Sequence, residues 1–132
     1  MKIAIPVWEG RISPVFDTAR QLLLVDELGG RETDRHFVSM AGAEGILSLE
    51  LLRRLGVEVL LCGAITRPLW MSLSGSGVRV IPNLFGEVEA ILRCYLAGDD
   101  VQKQFTLQRR RRMRRHRGGR QDRMQIPPPW MG

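Results

Sequence analysis

The sequence has few of the residues on which enzymes most often rely for covalent and redox chemistry. Its 132 residues include two cysteines, two histidines and one tyrosine. No serine lies in a Gly-x-Ser-x-Gly context, and the run Ser74-Gly75-Ser76-Gly77 lacks the lysine of a phosphate-binding loop. The sequence therefore favours a binding role over a catalytic one.

Long apolar runs are also missing. No run reaches the roughly 18 residues that a membrane-spanning helix needs. The first apolar run has the length of a strand and is interrupted by Pro6, which is not typical of a signal peptide. Because the two cysteines form no pair motif and no export signal is seen, a reducing cytoplasm is the expected location, with no membrane partner.

Acidic residues are scarce at one end of the chain, which makes the charge uneven. Residues 103–132 hold one lysine, nine arginines and one aspartate, a net charge of about +9, whereas residues 1–102 carry about −3. Like charges at that density repel and bury little surface, so disorder is expected there. We therefore predict one domain over residues 1–102 and a disordered arginine-rich tail over residues 103–132, ending in the proline-rich run Ile126-Pro127-Pro128-Pro129-Trp130.

Apolar patterning in the first hundred residues predicts an α/β fold. The predicted strands cover residues 3–7, 21–27, 35–40, 57–61 and 78–81, and the predicted helices cover residues 43–55, a short stretch from Thr66 to residue 75, and residues 86–97. The first strand has no polar alternation, so it is expected at the centre of the sheet. A short glycine turn predicts that the second and third strands are antiparallel, and a helical crossover predicts that the fourth is parallel to the first.

Several segments, in their order along the chain, resemble the dinitrogenase iron–molybdenum cofactor biosynthesis family, which includes NifX-type nitrogenase accessory proteins and small stand-alone relatives. They are Met-Lys-Ile-Ala-Ile-Pro-Val at the start, Gly10-Arg11-Ile12-Ser13-Pro14 with Phe16, Leu61-Cys62-Gly63-Ala64-Ile65, Glu87-Val88-Glu89-Ala90-Ile91 and Tyr95-Leu96-Ala97-Gly98. The resemblance covers residues 1–100. It implies a three-layer sandwich of ribonuclease H-like type with a five-stranded mixed sheet, order 3-2-1-4-5, second strand antiparallel.

The same resemblance implies a non-enzymatic binding or carrier protein for a molybdenum- or iron-containing sulfur cluster. The cargo would be an iron–molybdenum or molybdenum–sulfur cluster, and the partner a protein that donates or receives it. A ribonuclease H-like fold also invites a search for metal-binding carboxylates, but Asp17 and Asp26 are the only acids near the relevant strands. Catalysis is therefore not expected.

The candidate cluster site consists of loops expected at one edge of the sheet, where ligands bind in open α/β folds. Its residues are Gly10, Arg11, Ser13, Cys62, Gly63 and Gly86. The glycines would let backbone N–H groups approach an anionic cluster closely. Relatives often have a histidine where this chain has Val15, which puts histidine ligation from the first loop in doubt.

Cys62 is the candidate metal ligand, because a thiolate suits a soft metal or a metal–sulfur cluster. A free cysteine is otherwise a small buried hydrophobe, and both readings stay open. Cys94 is interpreted as a core residue, and His36 as structural or solvated.

The arginine-rich tail suggests an alternative function. Nine arginines could bind nucleic acid or an acidic protein partner through counterion release, which would make the chain a non-catalytic adaptor. A solvated tail without a specific partner is the other interpretation.

Overall fold

The structure, a computed structural model, describes residues 1–106 of the chain. The strands are β1 (Lys2–Trp8), β2 (Arg11–Ile12), β3 (Gln21–Leu28), β4 (Arg31–Ser39), β5 (Val59–Leu61) and β6 (Arg79–Ile81). The helices are α1 (Ile46–Leu55), α2 (Arg67–Gly75), α3 (Val88–Leu96) and α4 (Val101–Phe105), and a 3-10 turn covers Phe16–Thr18. The mixed α/β fold agrees with the expectation from patterning.

Glycines with positive φ lie at the end of α1 and in the turn between β3 and β4. Gly56 ends α1 in the left-handed conformation, with φ of 74°, and its N–H bonds to the last turn of the helix. Gly29 and Gly30 both have positive φ, 63° and 80°, and join β3 to β4. Two consecutive positive φ values match the twist of antiparallel strands, so this turn fixes the hairpin register.

The sheet has six strands in the order β4-β3-β1-β5-β6, with β2 paired antiparallel to β1 outside that path. The prediction of five strands in the order 3-2-1-4-5 is corrected by β2, a two-residue strand too short to leave a pattern. Among the longer strands, β3 is antiparallel to both β1 and β4, whereas β5 is parallel to β1 and β6 is parallel to β5. Strand β1 lies between β3 and β5, at the centre of the sheet.

Alternate side chains of the central strands enter two separate cores, because successive residues of a strand point to opposite faces. Ile3 and Ile5 of β1 pack with Ile91 of α3, whereas Ala4 packs with Leu52 of α1 and with Leu73 of α2. All six residues are completely buried. Helices α1 and α2 therefore cover one face of the sheet, and α3 and α4 cover the other.

Helix α4 was not predicted, and it crosses the proposed boundary between residues 102 and 103. Its Val101 is 3% exposed and belongs to the core on the α3 face, with Phe105 packed against the same core. Asp100 caps the helix by accepting a hydrogen bond from the Lys103 N–H, 3.2 Å away. Residues 101–106 thus pack with the domain, and the predicted disorder of the remaining tail falls on residues 107–132, outside the described part.

Within residues 1–106, every helix is too short or too polar to cross a lipid bilayer.

Candidate functional site

Three loops meet at one edge of the sheet, as the parallel strands require. Residues 9–15 follow β1, residues 62–66 follow β5 and residues 82–87 follow β6, and these three strands run in the same direction. We call this set the loop edge. It brings all six predicted site residues to the same end of the molecule.

The first two loops are joined by backbone hydrogen bonds. The Ala64 N–H donates to the Pro14 carbonyl, and the Phe16 N–H donates to the Ala64 carbonyl, both at 2.8 Å. A Cβ on Gly63 would lie 2.6 Å from the carbonyl oxygens of both Ser13 and Pro14. Gly63 is therefore required for contact between the loops, a different role from the ligand approach that was predicted for it.

The third loop is fixed to the other two in the same way. The N–H groups of Asn83 and Leu84 donate to the carbonyls of Gly63 and Cys62, at 2.9 and 3.0 Å. The Ile12 N–H donates to the Gly86 carbonyl at 2.9 Å, which ties the first loop to the third. The backbone of the loop edge is thus a preformed frame.

Gly10 and Ser13 contribute to this frame through their backbones. The Gly10 carbonyl accepts a hydrogen bond from the Val88 N–H at the start of α3, 3.1 Å away. Ser13 is 6% exposed, its N–H donates to the Pro6 carbonyl, and its hydroxyl lies 3.4 Å from the Val15 carbonyl. The hydroxyl of Ser13 is therefore buried and turned towards its own loop, while Val15 is 38% exposed.

An open cleft lies on the α3 side of the loop edge, with a volume of about 350 Å³. It is lined by Arg11, Phe85, Gly86, Glu87, Ala90, Gln104, Phe105 and Thr106, and we call it the arginine cleft. The exposed Arg11 guanidinium lies over the Phe85 ring, 5.4 Å from its centroid, in a cation–π arrangement. Of the predicted site residues, Arg11 and Gly86 line this cleft.

Helix α4 supplies one wall of the arginine cleft. The Phe85 N–H donates to the Phe105 carbonyl at 2.6 Å, and Thr106 forms an isolated antiparallel bridge with Leu84. Gly86 has φ of 137°, and a Cβ there would stand 3.4 Å from the Phe105 ring. The lining residues Gln104, Phe105 and Thr106 were not predicted, because α4 itself was not.

Cys62 lies on the opposite side of the sheet from the arginine cleft. Its side chain is completely buried in the core under α1 and α2. Burial, and secondarily the nearby negative charge of Asp17, raises the pKa of the Cys62 thiol to about 12. A buried thiol that resists ionisation is a poor metal ligand, so the ligand role of Cys62 stays a prediction without geometric support.

The acids considered as metal ligands have structural partners. Asp17 accepts hydrogen bonds from the Thr66 N–H at 3.1 Å and from the Thr66 hydroxyl at 2.6 Å, ahead of α2. Asp26 pairs with Lys2 at 3.0 Å. Across residues 1–106, no three His, Cys, Asp or Glu side chains converge as a metal-binding group.

A sequence profile of the dinitrogenase iron–molybdenum cofactor family matches residues 1–98, about three quarters of the chain. The chain belongs to this family. No functionally curated protein matches the chain significantly.

Solved structures of similar fold include proteins with names related to nitrogenase. A candidate dinitrogenase from Methanocaldococcus jannaschii is 15% identical, with a TM-score of 0.62 over 75% of this chain and 90% of that one. A candidate NifB protein from Thermotoga is 22% identical, with a TM-score of 0.59 over 80% and 96%. At these identities the likeness shows a shared fold.

A third structural neighbour is the apo form of the orange protein from Desulfovibrio gigas. It is 24% identical, with a TM-score of 0.64 over 74% of this chain and 88% of that one. Like the two proteins above, it shares its fold with this chain.

Proposed function

We propose that this chain binds an anionic molybdenum- or iron-containing sulfur cluster as cargo in the arginine cleft and carries it between a donor and a recipient protein. Membership of the iron–molybdenum cofactor family supports the class of cargo. The observation that supports this choice of binding site is the arginine cleft itself, because it combines a cation, apolar walls and a rigid backbone frame at the loop edge.

The mode of binding that we propose is electrostatic and non-covalent. A guanidinium donates several hydrogen bonds in a fixed plane and keeps its charge at every physiological pH, which suits the sulfide or oxo surface of an anionic cluster. The Gln104 side chain offers a further amide donor, and Phe85 and Phe105 supply apolar walls that exclude water. In this mode the cluster keeps its own ligands.

The size of the cleft agrees with a small cargo. Its volume of about 350 Å³ lies at the lower end of the roughly 300–1,000 Å³ typical of small-molecule sites.

The test is anaerobic incubation with tetrathiomolybdate, a molybdenum–sulfur dianion, followed by gel filtration, metal analysis and visible spectroscopy. We expect wild-type protein to retain molybdenum and Arg11→Gln to lose most of it. Arg54→Gln is the matched control, because Arg54 is exposed on α1, whose apolar side covers the opposite face of the sheet, and it should bind like wild type. Equal binding by both variants would place the cargo elsewhere.

A second pair of variants separates cleft binding from thiolate ligation. Because Cys62 is sealed in the core, cleft binding predicts that Cys62→Ser and Cys94→Ser retain the same amount of molybdenum. A selective loss in Cys62→Ser, with its fold intact by circular dichroism, would instead establish the ligation that the sequence suggested. In that case the loops at residues 13–15 and 62–64 would have to part when cargo enters.

A further inference from the structure

Helix α2 has a second apolar side, which faces away from the sheet. Its Leu69 and Leu73 are buried in the core that α1 and α2 share with the sheet. Trp70 and Met71, on the outward side of the same helix, are 39% and 66% exposed. A surface helix normally has one apolar stripe, the one that faces the core. Because aromatic residues and methionine are enriched at protein interfaces, the outward side of α2 has the composition of an interface.

Four residues at helical spacing line this outward side and share one open groove: Arg67, Trp70, Met71 and Ser74. We call them the α2 stripe. Their positions are symmetric about a point between Trp70 and Met71. If a second α2 packs against the stripe in the antiparallel direction, Trp70 of each copy meets Met71 of the other, and Arg67 meets Ser74. The stripe is therefore self-complementary, as a two-fold symmetric interface requires.

The contacts that this arrangement creates are favourable in packing and in charge. A methionine sulfur at the edge of an indole ring is an attractive contact, and symmetry makes it occur twice. Arg67 lies in the first turn of α2, and the last turn of this helix contains no basic residue. The antiparallel arrangement brings Arg67 of each copy to the C-terminal end of the other α2, where the helix dipole favours a cation. Ser74 and Gly75 are small and leave room there for the arginine side chain.

The exposed apolar area suits a reversible dimer. Ile46 at the start of α1 is 77% exposed and lies beside α2, where it shares a groove with Pro68 and Ser72. With roughly 200 Å² for a fully exposed side chain of this size, Ile46, Trp70 and Met71 together expose on the order of 350 Å². This is nearly half of the ~800 Å² that each partner contributes to a standard interface. Polar residues around the stripe would supply the remainder.

We propose that the α2 stripe is the interface of a reversible homodimer, in which the two α2 helices pack antiparallel about a two-fold axis between Trp70 and Met71. The occupant of the stripe is thus a second copy of the same chain. The proposal does not depend on the proposed function. Because the arginine cleft lies on the α3 side of the sheet and the stripe on the α2 side, both clefts stay open in the dimer.

The experiment measures the mass of the full-length protein by sedimentation equilibrium, from micromolar to near-millimolar concentration. We expect wild type to pass from monomer to dimer within this range. Met71→Arg should raise the dissociation constant by about tenfold or more, because it brings two like charges together near the two-fold axis. Since the Met71 side chain is largely exposed, the variant should fold normally, as checked by thermal unfolding.

Phe37→Arg is the matched control. Phe37 is 58% exposed on β4, at the edge of the sheet opposite to β6, on which α2 packs. The substitution introduces the same charge in place of an equally exposed apolar side chain, and this variant should dimerise like wild type.

A charge swap tests the antiparallel arrangement itself. Arg67→Glu should weaken the dimer by about threefold or more, because it places an anion at the C-terminal end of the other α2 at two symmetric positions. Adding Ser74→Lys to Arg67→Glu should restore most of the lost affinity, since the new lysine of one copy lies beside the new glutamate of the other. Within one helix the two positions are two turns apart and do not face each other, so the rescue can occur only between copies.

Three outcomes would overturn the proposal. Wild type that stays monomeric at every concentration would show that a second copy does not cover the stripe. A dimer that survives Met71→Arg would place the interface elsewhere, and its loss in Phe37→Arg would assign it to the β4 edge. A charge swap without rescue would rule out the antiparallel arrangement. Because Met71→Arg should retain as much tetrathiomolybdate as wild type, failure of the dimer and failure of the carrier function are observed separately.

Discussion

The two sides of the sheet differ sharply where its parallel strands end. On the side of α1 and α2, Cys62 is completely buried, and its ionisation is suppressed. On the side of α3 and α4, Arg11 is exposed beside an open cleft. Cys62 and Arg11 thus lie at the same end of the sheet but on opposite faces, so the first is closed to ligands and the second is accessible to them. Position along a strand decides which edge of the sheet a residue reaches, and alternation along the strand decides on which face its side chain lies.

The largest expected effect comes from breaking the frame that the two sides share. Gly63→Ala would place a Cβ 2.6 Å from two backbone carbonyl oxygens, which cannot rotate away as a side chain can. We expect a loss of about 1–3 kcal/mol in the free energy of unfolding, measured by urea denaturation. Parting of the loops should also perturb the arginine cleft.

Gly75→Ala is the control for this prediction. Gly75 lies at the end of α2, has open space where a Cβ would stand, and does not have a left-handed φ. Alanine is the better helix former by up to about 1 kcal/mol, so this variant should be neutral or slightly stabilised. Similar stability of the two variants would mean that the loops are not in contact at Gly63.

A smaller effect, on the pH dependence of stability, is expected from the burial of the Cys62 thiol. Its pKa is about 12 in the folded protein, against 9.0 for an ordinary cysteine, so the unfolded chain releases this proton first as pH rises. The stability that the folded protein owes to the neutral Cys62 thiol is fully present below pH 9 and is lost progressively between pH 9 and 12. In that window wild type should lose up to about 1.4 kcal/mol per pH unit more than Cys62→Ala, as measured by urea denaturation. Parallel stability curves would indicate that the thiol is exposed.

The smallest effect concerns the outer surface of the α3 side. The Arg35 guanidinium on β4 donates to Glu32 and, at 2.7 Å, to Glu89 on α3, and its hydrogen bonds hold the pKa of both carboxyls below the ordinary range. A carboxyl whose pKa is lowered in the folded protein stabilises the folded state at neutral pH, and this stabilisation is lost as pH falls through the lowered pKa. Since the Glu89 side chain is 60% exposed, Arg35→Gln should cost at most about 1 kcal/mol at neutral pH.

The measurement for Arg35→Gln is thermal unfolding at pH 7 and at pH 3, in low and high salt. The difference from wild type should shrink at the lower pH and in high salt. Arg53→Gln is the control, because its pair with Glu50 lies within α1 and is more exposed, so it should change stability still less. A loss that persists in high salt would point to a packing role of the Arg35 side chain instead.

Much of the fold was predictable because apolar runs in the sequence mark its buried strands and helices. The fully apolar first strand predicted its central place, and the glycine turn after Leu28 predicted the hairpin of β3 and β4. Strand β4 begins four residues earlier than predicted, at Arg31. Its first residues are exposed and charged, so an edge strand of this kind lacks the alternation that reveals a half-buried strand.

The site was less predictable, for reasons that particular residues show. Val59 and Leu61 face the α3 side, whereas Leu60 and Cys62 face the α1 side, an alternation that the sequence does contain. Which face is sealed at the loop edge depends on how the helices cover it, and local pattern does not specify that. Helix α4 left a faint signal, an Asp100 cap with Val101 and Phe105 four residues apart, which followed directly on the apparent end of the domain.

The shortness of α4 has a kinetic consequence. Five residues, held chiefly by Val101 and Phe105, form an element that can open at a free energy well below that of global unfolding. Its opening breaks the bond between the Phe85 N–H and the Phe105 carbonyl and removes one wall of the arginine cleft, while the sheet stays intact. Opening of α4 would therefore shorten the residence time of the cargo that we propose for the cleft. A recipient protein that captures the detached end would shorten that time without touching the cargo.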